Sequence, residues 1–177
     1  MGPHTALSRL PEPLKRFVKE RVYPRPLAEG VEVPEWHLQA HDREWHRQGV
    51  FWSVMQFMPA CPQDARIGAQ LEALERHLPR LKELKARVFA VFPSEEAELR
   101  AIAAHHGLTF PLLTDRGLPV SRRFAAALQL PLRPMVIPTL YLVNPERRVR
   151  LANRGYPSVE AVVRSIEALQ QATRAGM

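Results

Sequence analysis

Cysteine occurs once in the 177 residues, at position 61. A lone thiol excludes a disulfide framework and an internal dithiol cycle, so any disulfide this chain makes joins it to another molecule. The same scarcity agrees with a reducing compartment. Long apolar runs are also missing, since none approaches the roughly 20 residues that cross a bilayer. The first 23 residues carry Lys15, Arg16, Lys19, Glu20 and Arg21 where a secretory signal needs an unbroken apolar stretch. Together these absences predict a cytoplasmic protein with no membrane association. Lysine is confined to positions 15, 19, 82 and 85, and asparagine to 144 and 153. With 17 prolines, that bias matches heat-tolerant proteins and equally a GC-rich genome.

A hydrophobic share of 46% with 24% charged residues is that of one globular domain with a sizeable core. The formal charge of +7 raises the question of nucleic acid, but the basic residues are spread along the chain. The densest groups, Arg122-Arg123 and Arg147-Arg148-Val149-Arg150, lack interleaved aromatics. The charge therefore reads as a solvated surface, and nucleic acid is not expected as a partner. His37, His41 and His46 match no metal-ligand spacing, so no metal and no cofactor is predicted.

Apolar periodicity divides the chain. Leu14, Phe17, Val18 and Val22 predict a helical arm over 1–23, and Tyr23-Pro24-Arg25-Pro26 a linker onto a main domain over 24–177. Residues 31–40 alternate in places as a strand, and 49–57 form an apolar run suited to a strand buried on both faces. Ile67, Leu71, Leu74 and Leu78 recur at helical spacing toward Leu84, with Pro79 marking a kink or break. A second buried strand at 87–92 precedes Ser94, a predicted N-cap for a helix ending near Gly107. The order strand, helix, strand, helix implies parallel pairing with right-handed crossovers. Further on, a short strand at 110–115 precedes a helix at 120–128 with a small, Ala-rich face. A hairpin at 137–143 and 149–152 then leads into a helix capped by Ser158.

Cys61 falls in Phe57-Met58-Pro59-Ala60-Cys61-Pro62-Gln63-Asp64-Ala65-Arg66, between the first buried strand and the first long helix. A thiol at a helix's first turn faces unpaired N–H groups and the positive end of the macrodipole, which favour thiolate. The other reading is a buried, inert cysteine packed as a small hydrophobe. Asp64 either accepts a proton in thiol chemistry or caps the helix, and its charge opposes thiolate formation. Arg66 either offsets that charge or is solvated.

These segments resemble the peroxiredoxin (AhpC/TSA, redoxin) branch of the thioredoxin-fold superfamily. Gly30-Val31-Glu32-Val33-Pro34-Glu35-Trp36-His37-Leu38 resembles G-x-x-A-P-x-F-x-L, Cys61-Pro62-Gln63-Asp64 resembles C-P-x-E, and Gln70-Leu71 matches a frequent Gln-Leu pair. Phe110-Pro111-Leu112-Leu113-Thr114-Asp115 resembles F-P-L-L-S-D, and Tyr141-Leu142-Val143-Asn144 resembles F-V-I-D. The resemblance implies an α/β fold of thioredoxin type, with a mixed central sheet of about five strands flanked by helices. It also implies a thiolate that attacks peroxide.

The chain departs from that family's P-x-x-x-T-x-x-C loop, with Val54 and Met58 at the Pro and Thr positions. Its later Arg aligns with about Pro138, and Ile137-Pro138-Thr139 resembles instead the cis-proline turn of thioredoxin relatives. Pro138 is accordingly expected in cis. Asp64 stands where those relatives carry a second cysteine.

Three functions follow. The first is a single-cysteine thiol peroxidase using Cys61, Asp64 and Arg66 on a hydroperoxide, with an external thiol as reductant. The second is a thiol-disulfide protein that forms mixed disulfides with glutathione-like thiols or a partner protein through Cys61 and the Ile137-Pro138-Thr139 turn. The third is a non-catalytic binding module. Pro59, Pro62, Ile137, Pro138 and Thr139 are the candidate substrate contacts, and a homodimer is left open.

Overall fold

A computed structural model describes residues 23–40, 44–46, 50–60, 64–128 and 134–175. The helical arm expected over 1–23 lies outside the described residues except for Tyr23. The elements run β1 (His37–Ala40), β2 (Glu44–His46), β3 (Trp52–Phe57), α1 (Ala65–Glu83), β4 (Ala86–Phe92), α2 (Glu96–His106) and β5 (Leu112–Thr114). They continue with α3 (Pro119–Arg123), β6 (Ala127–Leu128), β7 (Met135–Val136), β8 (Thr139–Val143), β9 (Val149–Arg154) and α4 (Val159–Ala175).

Seven strands form one mixed sheet in the order β2-β1-β5-β4-β3-β8-β9. The crossovers through α1 and α2 make β3, β4 and β5 parallel, as the alternating pattern predicts, while β8 returns antiparallel to β3 and pairs with β9. The sheet exceeds the expected five strands because β1 pairs β2 at one edge. The fold is the expected α/β, thioredoxin-like one.

Every residue of β3 is buried, since the strand is covered on both faces. On one side Val54, Leu140 and Leu142 meet Leu71, Leu74 and Leu78 of α1, Leu99 of α2 and Ile166 of α4. On the other, Met55, Phe57, Phe89 and Tyr141 pack with Trp36, Phe124 and Val136. Burying a large side chain yields about 1.5–3 kcal/mol. That offsets the cost of Pro79, through which α1 continues without a break, because Leu74, Leu78 and Leu81 around it are all buried.

Two helical expectations are corrected. Ser94 is not the N-cap of α2; Glu95 occupies that position, while the Ser94 carbonyl accepts from Thr114 Oγ1 at 2.5 Å. The helix predicted over 120–128 stops at Arg123, because Ala125 takes a left-handed φ of 50° and Ala127–Leu128 pair with Met135–Val136. The segment 24–27 is tied to the sheet: Leu27 N–H donates to Tyr141 OH at 3.0 Å, and Arg154 donates to the Pro24 carbonyl.

Candidate active site

The first buried strand ends four residues before Cys61 in the sequence. Phe57, the last residue of β3, pairs with Thr139, which pairs in turn with Arg154, so these three form the closing row. Beyond it Met58 N–H donates to the Val91 carbonyl at 2.9 Å. Met58 and Val54 are fully buried, and neither side chain offers a hydrogen bond to a polar substrate. Pro59 is half-buried and Ala60 is exposed. Cys61, Pro62 and Gln63 lie outside the described residues.

The chain resumes at Asp64, the N-cap of α1. Its Oδ1 accepts from Arg66 N–H at 2.9 Å and Arg66 Nε at 3.0 Å, while Oδ2 accepts from Arg66 Nη2 at 2.6 Å. The two candidates are therefore brought together, as a forked ion pair closing the start of the helix. Hydrogen bonds from the Arg66 side chain, then from its backbone, hold the Asp64 carboxyl below its usual value. The capping reading of Asp64 is the one this geometry displays.

The Ile137–Thr139 turn stands beside Phe57. Thr139 is buried, and its hydroxyl donates to the Ile137 carbonyl at 2.8 Å. The expected cis bond at Pro138 is not found, since no cis peptide occurs among the described residues, Ile137–Pro138 included. The Pro138 carbonyl accepts from Gly155 N–H at 2.7 Å, joining the turn to the end of β9.

Several residues that periodicity does not mark complete the site. Gln56 Nε2 donates to the Gly155 carbonyl at 3.2 Å, and Gln70 Nε2 donates to Gln56 Oε1 and to the Pro157 carbonyl, each at 3.2 Å. The Arg66 guanidinium stands 5.9 Å from the centre of the Tyr156 ring. The loop 155–157 therefore spans from the proline turn to the first turns of α1. Gln56, with Ser53 one of two polar residues in a strand otherwise apolar, is the sequence signal that could have found this network.

Arg154 is half-buried at the same end. Its Nη1 donates to Thr139 Oγ1 and its Nη2 to the carbonyls of Ala125, at 3.0 Å, and Pro24. Burial pushes the guanidinium below its ordinary value.

The profile of the AhpC/TSA family matches residues 30–152. The chain belongs to the AhpC/TSA family. Among solved structures, the peroxidoxin BcpB from Mycobacterium tuberculosis superposes with a TM-score of 0.73 at 16% identity, covering 80% of this chain and 97% of that one. The AhpC of Enterococcus faecalis gives 0.72 at 20% identity over 84% and 96%. A yeast mitochondrial 1-Cys peroxiredoxin gives 0.72 at 14% identity over 85% and 79%. At these identities the structures speak for the fold alone. No curated protein sequence matches this chain. Family membership makes the protein a peroxiredoxin-type oxidoreductase, a thiol peroxidase that consumes peroxide and a thiol reductant. No helix among the described residues is long and apolar enough to cross a membrane.

Proposed function

We propose that Cys61 is the nucleophile of a single-cysteine thiol peroxidase whose reductant is an external thiol. The observation that carries this reading is that the only cysteine of an AhpC/TSA chain lies between the end of β3 and the capped start of α1. The Cys61 thiolate attacks one oxygen of a hydroperoxide, the O–O bond breaks, and the second oxygen leaves as an alcohol or water after taking a proton. Cys61 is then a sulfenic acid. A first external thiol condenses with it, releasing water and forming a mixed disulfide. A second thiol attacks that disulfide, restoring Cys61 and leaving as the oxidised reductant.

The Asp64–Arg66 pair supports the reading, because a carboxylate neutralised by a guanidinium no longer opposes a neighbouring thiolate. Pro59 and the Ile137–Thr139 turn are the substrate contacts of this reading. The solved structure of the yeast 1-Cys peroxiredoxin is described by its thiol resolution through glutathione and thioredoxin systems, and such low-molecular-weight or protein thiols are the reductant class assigned here. The protein is expected to act in the cytoplasm.

Stopped-flow mixing of the reduced protein with hydrogen peroxide tests the proposal. The expected result is sulfenic acid formation well above the rate of free cysteine, absent in Cys61→Ser, with turnover sustained by glutathione or thioredoxin. A rate equal to that of free cysteine would overturn it.

A further inference from the structure

We propose that the cleft at the far end of the sheet from the proline turn binds a small organic anion, one that joins a carboxylate or phosphate head to a short apolar body. The cleft encloses about 330 Å³ between the start of β3, the 84–85 turn, the 144–146 turn and the last turns of α4. That volume lies at the small end of the range for ligand sites. Trp52 and Phe57 stand at opposite ends of β3, about 16 Å apart. The cleft is therefore separate from the 137–139 turn and the 155–157 loop, and it shares no residue with the proposed peroxidase site.

Charge selects the occupant. Lys85, Arg150 and Arg174 line the cleft together with Glu83 and Glu146. Glu83 is already committed, since its Oε2 accepts from Arg80 Nη1 at 2.7 Å. That leaves Glu146 alone against three cations. Lys85 and Arg174 have no carboxylate within ion-pairing distance among the described residues. Arg150 reaches Glu29 through Nη2 at 3.4 Å, and its Nε is shut off from water with no hydrogen-bond acceptor among the described residues. A buried donor left unpaired is costly, and an anionic oxygen brought into the adjoining cleft is the acceptor that this guanidinium lacks.

Hydrogen bonding points the same way, because the acceptors around the cleft are largely spent within the chain. The Leu84 carbonyl accepts from Gln170 Nε2 at 2.7 Å, the Lys85 carbonyl from Trp52 N–H at 3.1 Å, and Asn144 Oδ1 from Arg148 N–H at 2.7 Å. The Gln170 bond also closes a carbonyl at the C-terminus of α1, whose partial negative charge would otherwise repel an anion. The surplus lies with the donors of Lys85, Arg150 and Arg174, so the lining suits an acceptor-rich ligand. The apolar half of the ligand has its own surface. Trp52, Leu84 and Leu169 also line the cleft, and Val50 beside them is 84% exposed, the most exposed large hydrophobic side chain among the described residues. An apolar body laid against these residues takes Val50 out of water while its head meets the cations.

The test titrates the full chain with phenylpropionate, phenyl phosphate and the uncharged phenylpropanol, and follows backbone amide shifts by NMR. Saturable binding of one or both anions is expected, with the shifts centred on Val50, Lys85, Asn144 and Thr173, and the tighter of the two identifies the head group. Phenylpropanol should bind about tenfold more weakly. Lys85→Gln/Arg174→Gln should weaken the anion about tenfold, and Leu169→Ala should weaken it as well. Arg174 is exposed on the last turn of α4. If the double variant does not fold, Arg174→Gln therefore decides alone, with an expected loss of about threefold. Failure of both anions to bind saturably, shifts centred elsewhere, or phenylpropanol binding as tightly as the anions would overturn the proposal. So would unchanged affinity in the charge variants. Because the readout is binding, a chain inert toward peroxide would sink the peroxidase reading and leave this one standing.

Discussion

Gly68 of α1 and His106 of α2 approach so closely that a methyl group added to the glycine would stand 2.9 Å from the imidazole Cε1. The same ring places Nδ1 3.0 Å from Glu72 Oε1, one turn further along α1. Gly68 is therefore the gap that lets α2 close on the first long helix.

That contact reverses the usual effect of replacing a helical glycine. Gly68→Ala should gain about 1 kcal/mol from helix propensity, but its methyl displaces the His106 ring and breaks the Glu72 contact. In the wild-type background the substitution is expected to bring no gain. With His106→Ala beneath it, the full gain of about 1 kcal/mol should appear. Urea unfolding of the four proteins measures the coupling, and equal stabilisation in both backgrounds would refute the account.

The buried glutamine pair carries a second prediction. Gln70→Leu removes the donor to both Gln56 Oε1 and the Pro157 carbonyl, leaving acceptors without partners in the interior. An unsatisfied buried group costs about 1–3 kcal/mol. Gln70→Leu should therefore lose stability in that range, and Gln56→Leu/Gln70→Leu should lose less than the two single substitutions combined. Additive losses in denaturant titrations would show that the pair does not act as a unit.

Parts of the molecule that depend on side-chain period were legible in the sequence. The six buried residues of β3, the apolar stripe of α1 and the β8–β9 hairpin follow directly from spacing, and Cys61-Pro62-Gln63-Asp64 stood out as the only thiol before a helix start. What was not legible depends on contacts distant in sequence. An Ala-rich stretch reads as helix at 120–128, yet Asp115 takes the N–H groups of Val120 and Ser121 at 3.0 and 2.7 Å, and the left-handed Ala125 ends the helix after one turn. Ser94 looked like an N-cap, but its carbonyl is recruited by Thr114, twenty residues away. Arg154 was invisible for a different reason: in a chain rich in arginine nothing local marks the one that folds back on the proline turn. Proline at 138 suggested a cis bond by resemblance, whereas the Ile137–Pro138 bond is trans.

Tyr141 links the N-terminal segment to the interior. Its hydroxyl donates to the Phe124 carbonyl at 2.6 Å and accepts from Leu27 N–H at 3.0 Å, and burial raises its phenol above the usual value. Tyr141→Phe leaves the Phe124 carbonyl without its donor, and a loss of about 1–3 kcal/mol is expected. Hydrogen exchange should show the Leu27 amide opening faster in the variant. Unchanged exchange at Leu27 would mean that the segment is held by Arg154 and packing alone.

Asp64 gives a prediction whose sign can be worked out. Its carboxyl is held below the model-compound value of 3.8 by hydrogen bonds from Arg66, so the folded state binds the proton less readily than the unfolded chain. The capping contribution is then complete above the unfolded value and is lost as pH falls through the lower folded one. Asp64→Ala removes a cap of the kind that contributes about 1 kcal/mol, and that difference from wild type should persist unchanged from pH 7 to 5. It should shrink as the solution is acidified below about 4. Arg66→Gln should reproduce part of the loss at neutral pH and show a smaller dependence on acid, since the depressed carboxyl value comes mainly from that guanidinium. Denaturant titrations at four or five pH values decide the matter: a difference that grows on acidification would mean that Asp64 is protonated more readily when folded, and that the cap is not the carboxylate.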